Sequence, residues 1–158
     1  MAEVEPKPAL PEPPRGIYPA RVDDKGRLKL PVNFERFLNG QKLFVTTWDE
    51  RIAKIFPLPV WQQNERLLFQ ENEDPDAAED LSFIANKYGA DAEVDGQGRV
   101  LMPTDLRRQL GIENAPVYIH YFDEAVNVYS KAIYEERERR ARENKDEKLK
   151  AFRKKGLK

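Results

Sequence analysis

Residues 22–38 read VDDKGRLKLPVNFERFL, and residues 94–110 read VDGQGRVLMPTDLRRQL. At a constant offset of 72, Val, Asp, Gly, Arg, Pro, Arg and Leu coincide, seven of seventeen positions. With two residues inserted, Trp48-Asp49-Glu50 then meets Phe122-Asp123-Glu124. A fixed period of this kind marks an internal duplication, and it constrains the architecture before any single motif is weighed.

Each copy parses alike. A β-prone run (residues 17–22; residues 92–94) enters a polar stretch ending in Gly26 or Gly98, the chemistry of a hairpin turn, since glycine accepts positive φ. After the first turn Arg27 and Lys29 alternate with Leu28 and Leu30. Period two sends the cations to one face and the leucines to the other. Pro31 and Pro103 suit the first position of a helix. Phe34 with Leu38, and Leu106 with Leu110, are spaced to form one buried stripe, and Asn39-Gly40 and Gly111 suit helix stops. Two more strands complete each copy, at 42–47 with 52–56 and at 117–122 with 126–129. A unit of about 45 residues is near the lower limit for independent folding. Two units interleaving their strands around one core predict an α+β, mostly β, pseudo-twofold barrel built by one chain.

The expected division is a disordered proline-rich leader at 1–15, a first unit at 16–64, a helical linker at 65–91, a second unit at 92–134 and a charged helical tail at 135–158. The linker reading rests on helical patterns at 60–69 and 77–88 around the acidic run ENEDPDAAED (71–80). In the tail, Glu135–Arg139, Glu136–Arg140 and Glu138–Arg142 are spaced for ion pairs along one solvated helix. Non-specific attraction of its basic end to DNA is the alternative role. Residues 131–158 hold twelve Lys/Arg against six Asp/Glu, a net +6, so the rest of the chain carries −7 of the total −1. The acidic body speaks against nucleic acid as a partner, and the asymmetry weakens that objection. The absence of cysteine excludes disulfides and thiolate metal sites. The N-terminal stretch has no apolar run, so it reads as neither signal peptide nor membrane helix, and a cytosolic protein is expected.

At the DxKGR and DxQGR motifs the chain resembles the MraZ family of bacterial transcriptional regulators. Asp23-Asp24-Lys25-Gly26-Arg27-Leu28 and Asp95-Gly96-Gln97-Gly98-Arg99-Val100 fall where that family carries paired Asp-x-x-x-Arg signatures. Phe56-Pro57 with Trp61 resembles its aromatic-Pro step and following Trp helix, and the match runs from about Arg15 to Tyr134. Two departures stand out. Glu35 occupies the place of an Arg that follows the first helix's aromatic residue in the family, and Val128-Tyr129 stands where a Trp is often found. The resemblance implies tandem AbrB-like (SpoVT-AbrB) β-α-β-β units in a swapped-hairpin barrel. It also implies a homo-oligomeric ring in the cytoplasm and nucleoid, bound to repeated short double-stranded DNA sites in the promoter of the division and cell-wall gene cluster. No cofactor, small-molecule substrate or membrane is implied.

The candidate DNA-binding residues are Arg21, Asp23, Lys25, Arg27 and Lys29 around the first turn, and Asp95, Gln97 and Arg99 around the second. Arginine forks suit phosphate and the O6/N7 edge of guanine, while lysine supplies a point charge. The aspartates would cap their turns and orient the arginines, because a carboxylate facing phosphate is repelled. Arg27 and Arg99 each admit two readings, a DNA contact or a turn arginine paired with its aspartate. Gln97 is either an adenine reader or simply solvated. His120, the only histidine, reads as a packed strand residue. With no His/Cys cluster, no Gly-rich phosphate loop and no Ser/His/Asp arrangement, neither a catalytic nor a metal site is expected. The competing functions are an AbrB-fold antitoxin and a ring-shaped interaction scaffold without specific DNA binding.

Overall fold

The computed structural model describes residues 12–70 and 73–158. Most of the expected leader, residues 1–11, lies outside them, as do Glu71 and Asn72 of the acidic run. The first unit comprises strands β1 (Ile17–Val22) and β2 (Arg27–Lys29), helix α1 (Val32–Leu38), and strands β3 (Leu43–Thr46) and β4 (Ala53–Pro57). Helices α2 (Leu58–Phe69) and α3 (Pro75–Tyr88) lead to the second unit: β5 (Ala90–Ala92), β6 (Arg99–Leu101), α4 (Thr104–Leu110), β7 (Ala115–Phe122) and β8 (Ala125–Ser130). Helices α5 (Lys131–Arg142) and α6 (Lys145–Arg153) follow.

The units exchange strands. All eight strands form one antiparallel sheet in the order β5-β3-β4-β8-β7-β1-β2-β6, whose two end strands are consecutive in the chain, so the sheet curls nearly closed into a barrel. β1 pairs along its length with β7 of the other unit, and β5 pairs with β3. Ala20 opposite Val117 and Ala92 opposite Leu43 are the same pair under the duplication. Leu28 faces Val100, its own repeat equivalent, so the pseudo-twofold axis passes through the β2–β6 ladder. The swap is sealed reciprocally: Leu30 N–H donates to Gly98 O at 3.0 Å, and Met102 N–H donates to Gly26 O at 2.8 Å.

The interleaving follows from what each unit has to bury. Val22, Leu28, Phe34 and Leu38 of the first unit share one core with Val100, Leu106, Val117 and Ile119 of the second, and all are fully buried. A buried side chain of this size contributes about 1.5–3 kcal/mol, and neither unit alone offers enough such residues to enclose a core. A second cluster anchors α2 and α3 outside the barrel, where Trp61 stacks on Phe44 with ring centres 4.5 Å apart.

Local details differ from expectation in three places. Pro31 and Pro103 stand one position before their helices, with extended ψ of 154° and 142°. From there each carbonyl accepts the first helical bond, from Glu35 and Arg107 at 2.9 Å. β5 covers 90–92 rather than 92–94, because pairing with β3 sets its register from Val45 opposite Ala90. The tail is two helices, broken at Asn144 with φ +53°, and its first helix is docked rather than wholly solvated. Tyr134 stacks on Tyr118 at 3.9 Å, and Glu136 binds Arg51 at 2.6 Å. Glu138–Arg142 forms at 3.2 Å, whereas among the described residues no bridge joins Glu135 to Arg139 or Glu136 to Arg140.

Candidate nucleic-acid interface

The two turns are built by the same atoms. Asp23 Oδ1 accepts from the backbone N–H groups of Lys25 (3.0 Å) and Arg27 (2.8 Å), and Oδ2 accepts from Arg27 Nε at 3.0 Å. Asp95 Oδ1 accepts from Gln97 and Arg99 N–H, both at 2.9 Å, and Oδ2 from Arg99 Nε at 2.9 Å. Gly26 and Gly98 close the turns at φ +82° and +75°, a conformation that costs a side chain about 1–2 kcal/mol. Each aspartate is held below the ordinary carboxylate range. The backbone N–H of its own arginine is the main cause, opposed by partial burial and helped by the guanidinium. The turn aspartates are thus internal braces. Each arginine commits Nε to its brace, and among the described residues no other hydrogen bond occupies its two terminal nitrogens.

β2 and β6 form a two-stranded ribbon with an inner and an outer face. Leu28 and Val100 point into the core, so Arg27, Lys29, Arg99 and Leu101 line the outside, with Lys29 opposite Arg99 and Arg27 opposite Leu101. Leu101 is 58 % exposed there. Three of the eight candidates, Arg27, Lys29 and Arg99, therefore share one face, and Lys25 and Gln97 stand exposed at the turns that lead into it. Arg21 does not join them. It sits at the β1–β7 seam, where Nη2 donates to the carbonyl and side-chain oxygen of Asn114 at 3.0 and 3.1 Å.

Lys29 was expected to serve the first turn, but its Nζ crosses the ribbon and donates to the carbonyl of Gln97 in the second. Two further residues lie at the turns without having been expected there: Glu35, noted only as a departure from the family pattern, and Arg107. A Cβ on Gly26 would collide with the guanidinium of Arg107, and a Cβ on Gly98 would stand 2.6 Å from Glu35 Oε2. Glu35 and Arg107 are equivalents at the offset of 72. Carrying that offset through the swap, from one unit's helix to the other's turn, would have found both.

His120 is a half-buried strand residue stacked beside Phe122 and Tyr129, and burial lowers its pKa, helped by the charge of Arg137. Among the described residues no group of three or more His, Cys, Asp or Glu is placed to hold a metal ion, and no helix is long and apolar enough to cross a membrane.

Comparison with known proteins converges on one family. The sequence model described as "MraZ protein, putative antitoxin-like" matches residues 89–154. The "Transcriptional regulator MraZ" of Acidobacterium capsulatum is 44 % identical over 97 residues, covering 59 % of this chain and 66 % of that protein. The protein of the same name from Koribacter versatilis is 36 % identical over 103 residues, covering 63 % and 70 %. That of Leuconostoc citreum is 34 % identical over 97 residues, covering 61 % and 67 %.

Proposed function

The chain belongs to the MraZ family, and from that premise we propose that it is a transcriptional regulator that binds double-stranded DNA through the outer face of the β2–β6 ribbon. The observation that carries this reading is the ribbon itself. Arg27, Lys29 and Arg99 stand on one face, between two aspartate-braced turns. A two-stranded ribbon fits the major groove, and arginine forks match phosphate and guanine edges there. Braces that fix each guanidinium by Nε reduce the rotamer freedom lost on binding.

The finer reading is a cytoplasmic, nucleoid-associated homo-oligomer, in the form of a ring, acting on short repeated sites upstream of the division and cell-wall genes. One ribbon on an acidic body supplies few cations, so affinity should come from several ribbons engaging sites in register. Avidity of this kind adds roughly 10²–10⁴ in apparent affinity without new contacts. Exposed Leu67, Phe69 and Phe83 on α2 and α3 support association between copies.

Fluorescence anisotropy on one-repeat and multi-repeat probes from the DNA upstream of the chain's own gene tests this, together with a probe whose repeats are shifted by half a turn (about 5 base pairs). The multi-repeat probe should bind far more tightly, and the shift should remove most of the gain. Equal affinity for all three would discard the multivalent mechanism. The same exposed apolar residues favour a second reading, an antitoxin-like protein that neutralises a partner. Co-purification of a small partner protein, with no shift of the upstream DNA, would select it.

A further inference from the structure

The two units match in backbone but carry opposite charges at one equivalent position. α1 bears Glu35 where α4 bears Arg107, and because strands are swapped each side chain lies behind the turn of the other unit. Behind the first turn, the Arg107 guanidinium lies over Gly26 and donates to the carbonyl of Met102, with a second nitrogen 3.4 Å from Thr104 Oγ1. Met102 N–H in turn donates to Gly26 O. The first turn is thus clamped by a cation through one intervening residue.

The second turn has the same backbone bond, Leu30 N–H to Gly98 O, but Glu35 brings oxygen acceptors where Arg107 brings N–H donors. Lys29 fills the gap by reaching across to the Gln97 carbonyl. Glu35 Oε2 and Lys29 Nζ stand 2.6 and 2.9 Å from the point a Cβ on Gly98 would occupy, so a carboxylate and an ammonium crowd the same spot. Among the described residues Glu35 forms no ion pair of its own.

We propose that Glu35 and Arg107 grade the two turns for DNA: Arg107 adds positive charge behind the first turn, and Glu35 offsets Lys29 behind the second. Residues 23–27 then hold the duplex more strongly than residues 95–99. The inference rests on the DNA-binding reading above. Both charges lie close enough to the turns to be felt by a bound phosphate, since screening extends over about 8 Å at physiological salt. Two equal turns about a twofold axis would suit a symmetric site, whereas graded turns give each subunit a preferred direction on the duplex. Glu35 acts by its charge beside Lys29, whose hydrogen bond goes to the Gln97 carbonyl.

The test is anisotropy with the full chain on a labelled duplex of its own upstream DNA, over a salt series from about 50 to about 200 mM. Glu35→Gln should tighten binding roughly three- to tenfold and steepen the salt slope by about 0.9, the value of one additional neutralised phosphate. Arg107→Gln should weaken binding. Arg99→Ala should cost more affinity in the Glu35→Gln background than in the unmodified protein, a coupling that a purely structural role does not produce. Thermal melts accompany each variant, and Glu35→Ala, expected to act in the same direction, guards against a folding defect in one of them. If both Glu35 variants keep the original affinity and slope while Arg27→Ala still loses binding, the grading is overturned and the DNA reading stands. If the unmodified protein leaves the duplex free even at about 50 mM salt, the DNA reading falls and the grading falls with it.

Discussion

The first and second turns differ least where they face the core and most where they face solvent. Inside, Leu28 and Val100 meet at the pseudo-axis, both fully buried, and the aspartate braces agree to within 0.2 Å from one turn to the other. Outside, Lys25 becomes Gln97, Lys29 becomes Leu101, and the supporting Arg107 becomes Glu35. Packing limits divergence in a shared core to apolar residues of similar volume, as Leu28 and Val100 are. A solvated side chain can change charge at little cost in stability. A duplicated unit can therefore diverge in what it binds while holding the fold constant.

The inner match is the part to break first, because its effect is largest. Leu28→Ala should destabilise the protein by about 2–5 kcal/mol, the range for emptying a fully buried leucine site. Val100→Ala removes two carbons where Leu28→Ala removes three, and should cost less, roughly 1.5 kcal/mol plus whatever cavity remains. The pair touches, so the double variant should depart from additivity. Urea unfolding measures all three, and a loss below about 1 kcal/mol for Leu28→Ala would show that the ribbon is not integral to the core.

The outer contrast comes next. Arg27→Ala should weaken specific DNA binding by about 1–3 kcal/mol, the value of a bidentate base contact, and Arg99→Ala by less. Anisotropy gives both numbers. Neither variant should lose more than about 1 kcal/mol of stability, because each ion pair is partly exposed. A protein unfolded by Arg27→Ala would make that arginine a structural strut, and equal losses of binding would remove the distinction between the turns.

The barrel was legible in the sequence for physical reasons. Units too small to fold alone had to share a core, and period-two alternation at Arg27, Leu28, Lys29 and Leu30 fixed which face went inward. Side-chain partners across the swap were not legible. Lys29 finds Gln97 at a separation of 68 residues and Arg21 finds Asn114 at 93, and neither follows from spacing within one unit. The tail misled in part, since of its three expected pairs Glu138–Arg142 forms. Its charge pattern suggested pairs along the helix, yet Glu136 prefers Arg51, 85 residues away, because Tyr134 on Tyr118 brings α5 down onto the barrel. Local rules see the neighbours a helix supplies, whereas tertiary packing decided between them here.

The smallest expected effect probes the feature the turns share. Asp23 and Asp95 are both held below the ordinary carboxylate range, chiefly by the N–H of Arg27 and of Arg99. A depressed carboxyl contributes stability above its unfolded value of about 3.9, and that contribution disappears as pH falls through the lower folded value. Asp23→Asn and Asp95→Asn keep an oxygen for the turn N–H groups but lose the charge that holds the guanidinium. Each should therefore be slightly less stable than the parent at about pH 7, with the gap closing as pH drops through and below about 3.9. Because the two braces match in geometry, the two gaps should be similar. Urea midpoints for the parent and both variants across that range provide the measurement. A gap that persists in acid would mean the asparagine disturbs the turn by shape rather than charge. A larger gap at Asp95 would mean that Arg107, behind the first turn only, supports that turn when its own brace is weakened, carrying the asymmetry of the outer surface into the stability of the turns themselves.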